Sequence, residues 1–529
     1  MIELRDIRLA VGESEKLLRK KAAKALRIDP QSVKELKILK KSLDARKKGD
    51  IHRLYTVAVS VEGSEEKIIA REGGKKAKVH VPFSYEIPRC ESGDRPVVVG
   101  FGPGGMFAAL VLAEAGLRPI VLERGADVDT RHEAIERFWD GGGLCENANV
   151  QFGEGGAGTF SDGKLNTGTH DRRIAFVLRS FHRFGAPESI CYDAKPYVGT
   201  DVLRRVVKAM REHIISLGGE VRFGANFVGF AGSKGAVKKI NVSDAEGEYT
   251  LECSRLILAI GHSARDTFEY LHSSGFAMER KSFSMGARIE HKQAAVGLAQ
   301  YGEAYRELPA ADYKLNCRFP EGDSAYTFCM CPGGYVVAAA SEHGGVCTNG
   351  MSYSGRAGEN ANAALLVTLE PSDFPGEGVL AGMYWQREIE RRAYEYGGGN
   401  YLAPAQKVSD FLAGRASGGC GEVQPTYRPG VVWGDLREVL PEKVWRTMQR
   451  AIPELGKKAA FFNEGEAVLT APETRSSSPV RILRGEDMCA LNMSGVYPCG
   501  EGAGYAGGIT SAAVDGMRCA EAVIASMRE

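Results

Sequence analysis

Residues 97–111, VVVGFGPGGMFAALV, constrain the fold more than any other part of this chain. A run of valines gives way to glycine, and an apolar, helix-like segment begins at once. Gly100, Gly102 and Gly105 stand in G-x-G-x-x-G spacing, with Gly104 beside the third. In such a loop the first glycine permits a tight turn and the second lets a pyrophosphate approach the backbone. The third lets the helix pack closely on the strand. The new helix offers unpaired N–H groups and about half a positive charge to phosphates. Glu123 closes the next strand, RPIVLER, with Arg124 beside it. A carboxylate there accepts hydrogen bonds from the ribose hydroxyls of an adenosine. Strand, glycines, helix, strand and acid in that order predict a dinucleotide site, and this motif alone leaves NAD and FAD both open.

At 529 residues the chain is too long for one hydrophobic core, so two or three domains are expected. An apolar fraction of 43% and a charged fraction of 26% place it among ordinary globular proteins rather than disordered or fibrous ones. Its 65 glycines, without a collagen period, point to many tight turns and close backbone approaches to a ligand. A net charge of +1 gives bulk electrostatics no say in the choice of partner. The start, MIELRDIRLAVGESEKLLRKK, is charged from its third residue and lacks the apolar core of a signal peptide. No apolar run is long enough to span a membrane. Twelve irregularly spaced cysteines then read as thiols in a reducing compartment, so a cytoplasmic location is expected.

Residues 1–88 read as a small basic module. IELRDIRLAV alternates like a strand, Leu17, Leu18, Ala22 and Leu26 form a helical stripe, and SVKELKILKKSL and HRLYTVAVSV flank a turn. Residues 1–60 hold 16 Lys/Arg against 8 Asp/Glu, a net of +8. This charge suits either a phosphate-binding surface or a solvated helix with a lysine-defended edge hairpin. No RNA-binding motif or aromatic stacking set accompanies it, so nucleic acid is not the expected partner. EIPRCESGDRP follows as a linker. From residue 96 strands and helices alternate, which predicts a mainly parallel sheet. Residues 89–280 are the first part of this domain and 466–529 its second part. Between them, 281–465 read as an inserted domain that faces substrate.

The far end narrows the ligand. GVYPCGEGAGYAGGITSAAVDGMRCAEAVIASM has a strand ending at Gly500 and Glu501, a glycine loop, and a helix starting near Gly508 and Ile509. Two glycine loops so far apart in sequence can serve one ligand only if it is long. The pairing resembles FAD-binding flavoproteins of the glutathione-reductase superfamily. That resemblance implies that Glu501, where most members carry Asp, binds the ribityl chain or pyrophosphate, and that the last helix points its N-terminus at the flavin. It further implies that Gly261, in ILAIGHSA, closes against the cofactor and that Val228 lends a backbone contact to adenine. VQFGEGGAGTFSDGKLNTGTHD, YTFCMCPGGYVVAAASE, ETRSSSPVRI and CGEGAGYAGGITSAAVDG together resemble bacterial FAD-dependent (NAD(FAD)-utilising) dehydrogenases over nearly the full length. The implied fold class is α/β, a Rossmann-like FAD-binding domain with an inserted α+β substrate domain and a small ferredoxin-like α+β module in front. The implied cofactor is FAD. A reaction follows only loosely, because a fold does not fix a function.

Candidate reacting groups are few. GEGGAGTFSDGKL is expected to cross near the isoalloxazine, where Ser161, Asp162 and Lys164 could bond the flavin or its phosphates. Lys164 near N1 or O2 would favour the reduced anion; the alternative is that Lys164 and Asp162 merely pair in a turn. Cys329 and Cys331, at i and i+2, share one face of a strand. They read either as an easily reduced relay disulfide or as two small thiols lining the inserted domain. His262 suits an acid near the ring or a structural histidine. Arg288, Glu290, Arg475 and Arg481 suit either an anionic substrate or ion pairs between domains. No spacing suggests a metal. A second complete G-x-G-x-x-G unit is absent, so the electron donor is NAD(P)H binding transiently, a protein, or the substrate itself. The expected function is an FAD-dependent oxidoreductase moving hydride through flavin N5 to or from a small molecule. The alternatives are an FAD-dependent RNA-modifying enzyme that docks through the basic module, and a non-catalytic flavin-binding redox sensor.

Overall fold

The computed structural model describes residues 1–72, 76–231 and 235–528. Strands Ile2–Ala10, Val33–Asp44, His52–Val61 and Ala77–Val79 form one antiparallel sheet. Ile2–Ala10 lies between His52–Val61 and Ala77–Val79, and Val33–Asp44 is at the edge. Helix Leu17–Leu26 buries Leu18, Ala22, Ala23 and Leu26 against this sheet. The predicted stripe is therefore the packed face, except that Leu17 is exposed.

The second sheet is wholly parallel and uses both ends of the remaining chain. Its strands run in the order Val496–Pro498, Leu256–Leu258, Val97–Val99, Ile120–Glu123, Glu220–Phe223. Val97–Val99 is buried at all three positions, as expected of a strand covered on both faces. The strand order turns back at Val97–Val99, and ligands of such sheets bind at the carboxyl ends of the strands beside that reversal. Helix Pro103–Ala115 starts there, with Pro at its first position and Gly116, at φ +102°, closing it. It is apolar all round because it is covered on two sides, by the sheet and by the last helix, Ile509–Arg528. A small antiparallel sheet of Asn226–Phe230, Lys239–Asp244 and Gly247–Glu252 flanks this unit.

Strands between residues 283 and 473 form a seven-stranded sheet. Its order is Asn316–Arg318, Ser324–Cys331, Asn360–Leu369, Phe283–Lys292, Val468–Glu473, Ala403–Lys407, Val431–Trp433. Helices Ala381–Tyr396 and Glu442–Gly456 lie where amphipathic periodicity places them. One boundary is corrected. Residues 466–473 belong to the inserted sheet, because Val468–Glu473 pairs with both Phe283–Lys292 and Ala403–Lys407. Its apolar run carries no mark of which sheet it joins, so 465 was too early. The linker is also more than a tether: Cys90 is buried, its N–H donating to the Ala115 carbonyl, and just ahead of it Tyr85 bonds Glu521. Among the described residues no helix is long and apolar enough to cross a membrane.

Candidate functional site

The helices that follow the two glycine turns lie against one another. A Cβ on Gly105 would fall 1.9 Å from the Gly100 carbonyl oxygen, so bare backbone brings the helix onto its strand. Gly104 has a different task from phosphate approach: it faces the last helix, where its Cβ would meet Cys499 Sγ at 3.3 Å and Ala512 O at 3.4 Å. A Cβ on Gly516 would stand 2.0 Å from Gly104 O, so the helices of the two ends cross in contact. Gly156 packs on Gly102, and Gly158 packs on Ile509 and Pro103. The GEGGAG loop thus bridges the N-termini of both helices. Gly102, at the N-cap of the first, supplies no side-chain cap.

Glu123 organises this cluster. Its carboxylate accepts N–H bonds from Phe101 at 2.8 Å, Gly125 at 2.8 Å and Gly153 at 3.1 Å. With about four lone-pair sites on a carboxylate, one remains for a hydroxyl. Arg131, wholly buried, donates to the carbonyls of Asn149, Val150, Gly153, Glu154 and Gly156, and so holds the whole loop from beneath. Burial lowers its pKa to about 10. Glu154 is also fully buried; desolvation pushes its carboxyl up to about 7, although Arg211 stands 3.1 Å away. Nothing in the sequence marked Arg131 or Glu154 as loop-builders.

Arg124 bonds Asn226 and Asp266 and stacks on Phe152. Val228 falls at a register shift, where Phe227 pairs with Val242 and Gly229 with Asn241. A bulge leaves one peptide group out of the ladder, which a backbone contact to adenine would need. Gly261 (φ +71°), Gly507 and Gly508 have open space where a side chain would be. Gly500 donates its N–H to Asp515 at 2.7 Å, and Arg484 grips the same carboxylate at 2.6 and 2.9 Å. Asp515 therefore fixes the second glycine turn. Cys499 and Cys519 stand near it, but a cation bound by the three would have to displace the Arg484 guanidinium. Glu501 meets His262 at 2.9 Å, and the buried Nε2 of His262 has no partner.

Ser161 closes a local turn, donating to Gly158 O and accepting from Gly163 N–H. Asp162 is buried and paired with Arg356 at 2.6 Å, and with Lys164 at 3.6 Å. Lys164 donates to the Met330 carbonyl of the seven-stranded sheet. Arg288 and Glu473 form a buried bidentate pair, and Glu290 accepts from Thr426 and Asn360. Arg475 and Arg265 clamp Glu390 across the two parts of the molecule. Arg481 pairs with Glu279 at the surface. All four candidates for a substrate anion are thus engaged within the protein. A separate cavity of about 580 Å³, lined by Phe83, Arg172 and Arg179 among others, contains none of these groups.

Bare backbone at Gly261, Gly507 and Gly508, two helix N-termini and an orphaned imidazole nitrogen at His262 suit FAD. Residues 282–476 match the model described as FAD-dependent protein, C-terminal domain-like, and residues 1–60 match a domain of unknown function. Matched domain and cradle agree on an FAD-dependent protein. In particular, the chain belongs to the family of an uncharacterised protein of Clostridium beijerinckii, 45% identical over 99% of this chain and 98% of the relative. Solved structures similar in part include a geranylgeranyl bacteriochlorophyll reductase-like protein from Thermoplasma acidophilum, 10% identical. It is matched over 82% of this chain and 78% of that one, with a TM-score of 0.36. A flavoprotein/dehydrogenase from Cytophaga hutchinsonii is 11% identical over 82% and 79%, with a TM-score of 0.36.

Proposed function

We propose that this protein transfers hydride between FAD and a small molecule held by the seven-stranded domain, within the glutathione-reductase-type group of flavoproteins. The observation that carries this reading is the contact, at Gly104 and Gly516, of the two helices that follow the glycine turns 100–105 and 500–508, both turns leaving strands of one parallel sheet. Gly100, Gly102 and Gly105 give the pyrophosphate its backbone approach, and the last free lone pair of Glu123 takes a ribose hydroxyl. Arg124 and the Val228 peptide border the adenosine end. Glu501, held by His262, reaches the ribityl chain, and the helix beginning at Ile509 aims its N–H groups at the ring. That partial positive charge favours added electrons on a flavin, which supplies the two-electron chemistry when bound. Ser161, Asp162 and Lys164 act through loop shape, since each already has a protein partner.

The leading module has the β-α-β-β-α-β order of ferredoxin-like folds. It is an appendage to the flavin unit, joined to it where Lys41 N–H bonds the Tyr192 carbonyl. The test is anaerobic titration of FAD-loaded protein with NADH, NADPH and dithionite, followed by flavin absorbance. Bleaching by one nicotinamide supports a reductase half-reaction, and bleaching by dithionite alone assigns the donor role to a protein or to the substrate. Protein that takes up no FAD when it is offered overturns the reading.

A further inference from the structure

The turn Cys329-Met330-Cys331 has a geometry that alternation in a strand does not explain. Strand Ser324–Cys331 pairs with Asn360–Leu369 in register up to Phe328, then slips, so that Cys331 pairs with Asn362. Cys329 adopts φ +42°, a left-handed conformation that costs a non-glycine residue about 1 kcal/mol or more and persists only where its surroundings enforce it. Here they do. Arg288, anchored by Glu473, donates to the Cys329 carbonyl at 2.8 Å. Cys331 is fully buried, its Sγ 3.2 Å from the same carbonyl. Lys164 grips the intervening Met330 carbonyl.

The surroundings are polar and incompletely satisfied. Asp162 Oδ1, Tyr313 OH and Asn362 Nδ2 are buried without partners, and all three residues neighbour this turn or the Arg288 beneath it. Such orphans mark a place where a water or ligand atom completes the bonding. The two thiols also differ in character. Cys329 is held below the ordinary thiol range, first by its hydrogen bond from Cys331 and further by Arg288 and Lys164. Cys331 is kept protonated by burial and by the neighbouring Cys329. A thiolate beside a protonated thiol is the pairing that disulfide chemistry uses.

The position is equally specific. Lys164 ends the loop that begins at Gly156, and that loop lies on Gly102, Pro103 and Ile509. The cysteine turn therefore abuts the wall of the cradle assigned above to FAD.

We propose that Cys329 and Cys331 are a redox-active dithiol that closes to a disulfide by handing one electron pair to FAD, and reopens by the reverse. This rests on the flavin reading for its electron partner, but not for the chemistry of the thiols. In the forward direction the Cys331 S–H bond breaks and one S–S bond forms between it and the Cys329 thiolate. The electron pair and the one proton released reduce one FAD to FADH−, so no further reagent is needed. Cys329 is the thiolate that opens the exchange, and Cys331 is the partner that closes it.

The test is a redox titration of full-length, FAD-loaded protein in glutathione buffers. Samples are quenched in acid, alkylated and digested with trypsin. Cleavage after Arg318 and Arg356 releases one peptide containing Cys329, Cys331 and the buried Cys347, which serves as an internal control. Under oxidising buffer the peptide is expected to take one alkyl label instead of three, with fragment ions placing the S–S bond between 329 and 331. Under anaerobic conditions without glutathione, its appearance is expected to match flavin bleaching one for one. Cys331→Ser is expected to show no S–S bond within the peptide at any ratio, Cys329 instead holding glutathione under oxidising buffer, and native Cys329 to alkylate at least about tenfold faster than Cys347 at pH 7. Three labels at all ratios in protein that holds FAD would overturn the dithiol alone. Failure to bind FAD would instead overturn the flavin reading, while the peptide mass still reports on the thiols.

Discussion

The Cα of Gly516 lies so close to the Gly104 carbonyl that a Cβ there would stand 2.0 Å from the oxygen. Residues separated by most of the chain thus form the contact on which the nucleotide cradle is built. Gly516→Ala must push apart helices Pro103–Ala115 and Ile509–Arg528, neither of which can yield at the backbone. Overpacking of this kind costs about 1–3 kcal/mol. The expected result is a loss of at least about 2 kcal/mol in urea unfolding, with purified protein depleted in flavin. An unchanged midpoint with full flavin content would show that the crossing is not needed.

Gly507 separates stability from ligand binding. It has open space around it, so Gly507→Val costs the ligand-free fold no more than about 0.5 kcal/mol. If that space belongs to the cofactor, the variant loses FAD affinity while unfolding like the parent. Flavin fluorescence during FAD titration, compared with urea unfolding of the ligand-free protein, reads the two effects separately.

Glu390 is clamped by Arg265 and Arg475 with four bonds of 2.7–2.9 Å, and Thr474 adds a fifth at 2.6 Å. Arg265 belongs to the flavin unit and Glu390 to helix Ala381–Tyr396, so this is the joint between them. Glu390→Gln leaves two buried guanidinium groups short of charge and costs about 3–5 kcal/mol. Despite burial, the two arginines hold the Glu390 carboxyl well below its ordinary 4.5. A depressed carboxylate contributes stability that is present above its unfolded value and is lost as pH falls below it. The gap between parent and variant in unfolding free energy is therefore widest above about pH 4.5 and narrows in more acid solution. A gap that grows on acidification would contradict the clamp.

How far the sequence exposed this site depends on what each residue bonds. Gly100, Gly102 and Gly105 were legible because their task is local: a turn and a close helix leave a fixed spacing. Glu123 was legible as an acid at a strand end, but not as the acceptor for Gly153, thirty residues away. Arg131 sits in an amphipathic segment, DTRHEAIERF, whose charges read as solvated. Only the folded loop reveals five carbonyls pointing at it. Cys329 and Cys331 were noticed as a pair on one strand face, yet the register slip and left-handed turn that set them apart are products of Arg288 and Lys164, supplied from other strands and loops.

Arg131→Met tests the loop directly. The replacement fills similar volume but leaves those carbonyls without donors in a site that excludes water. Unpaired buried acceptors cost about 1–3 kcal/mol each where the loop cannot relax. The loop is therefore expected to rearrange, with flavin retention falling while the seven-stranded domain keeps its fold. Hydrogen exchange should rise at residues 149–156 and stay unchanged at Phe283–Lys292. Equal exchange in both regions would mean that Arg131 is not what holds the loop.

His291 makes a pH prediction of the opposite origin. It is buried among Tyr313, Phe461 and Phe462, with Nε2 3.4 Å from the Phe462 carbonyl and Nδ1 unpartnered. Desolvation lowers its pKa from 6.5 to about 4. The unfolded chain thus binds the proton more readily, so stability is whole above about pH 6.5 and is lost as pH falls toward 4. Two and a half units at about 1.4 kcal/mol each set an upper bound of about 3.5 kcal/mol on that loss. His291→Phe removes the titrating group and keeps an aromatic ring in the cluster, at the cost of the bond to Phe462. Its unfolding free energy is expected to be lower than the parent's at pH 7.5, and the difference to shrink or reverse by pH 5. Parallel pH profiles for the two proteins would show that this imidazole is not held neutral in the fold.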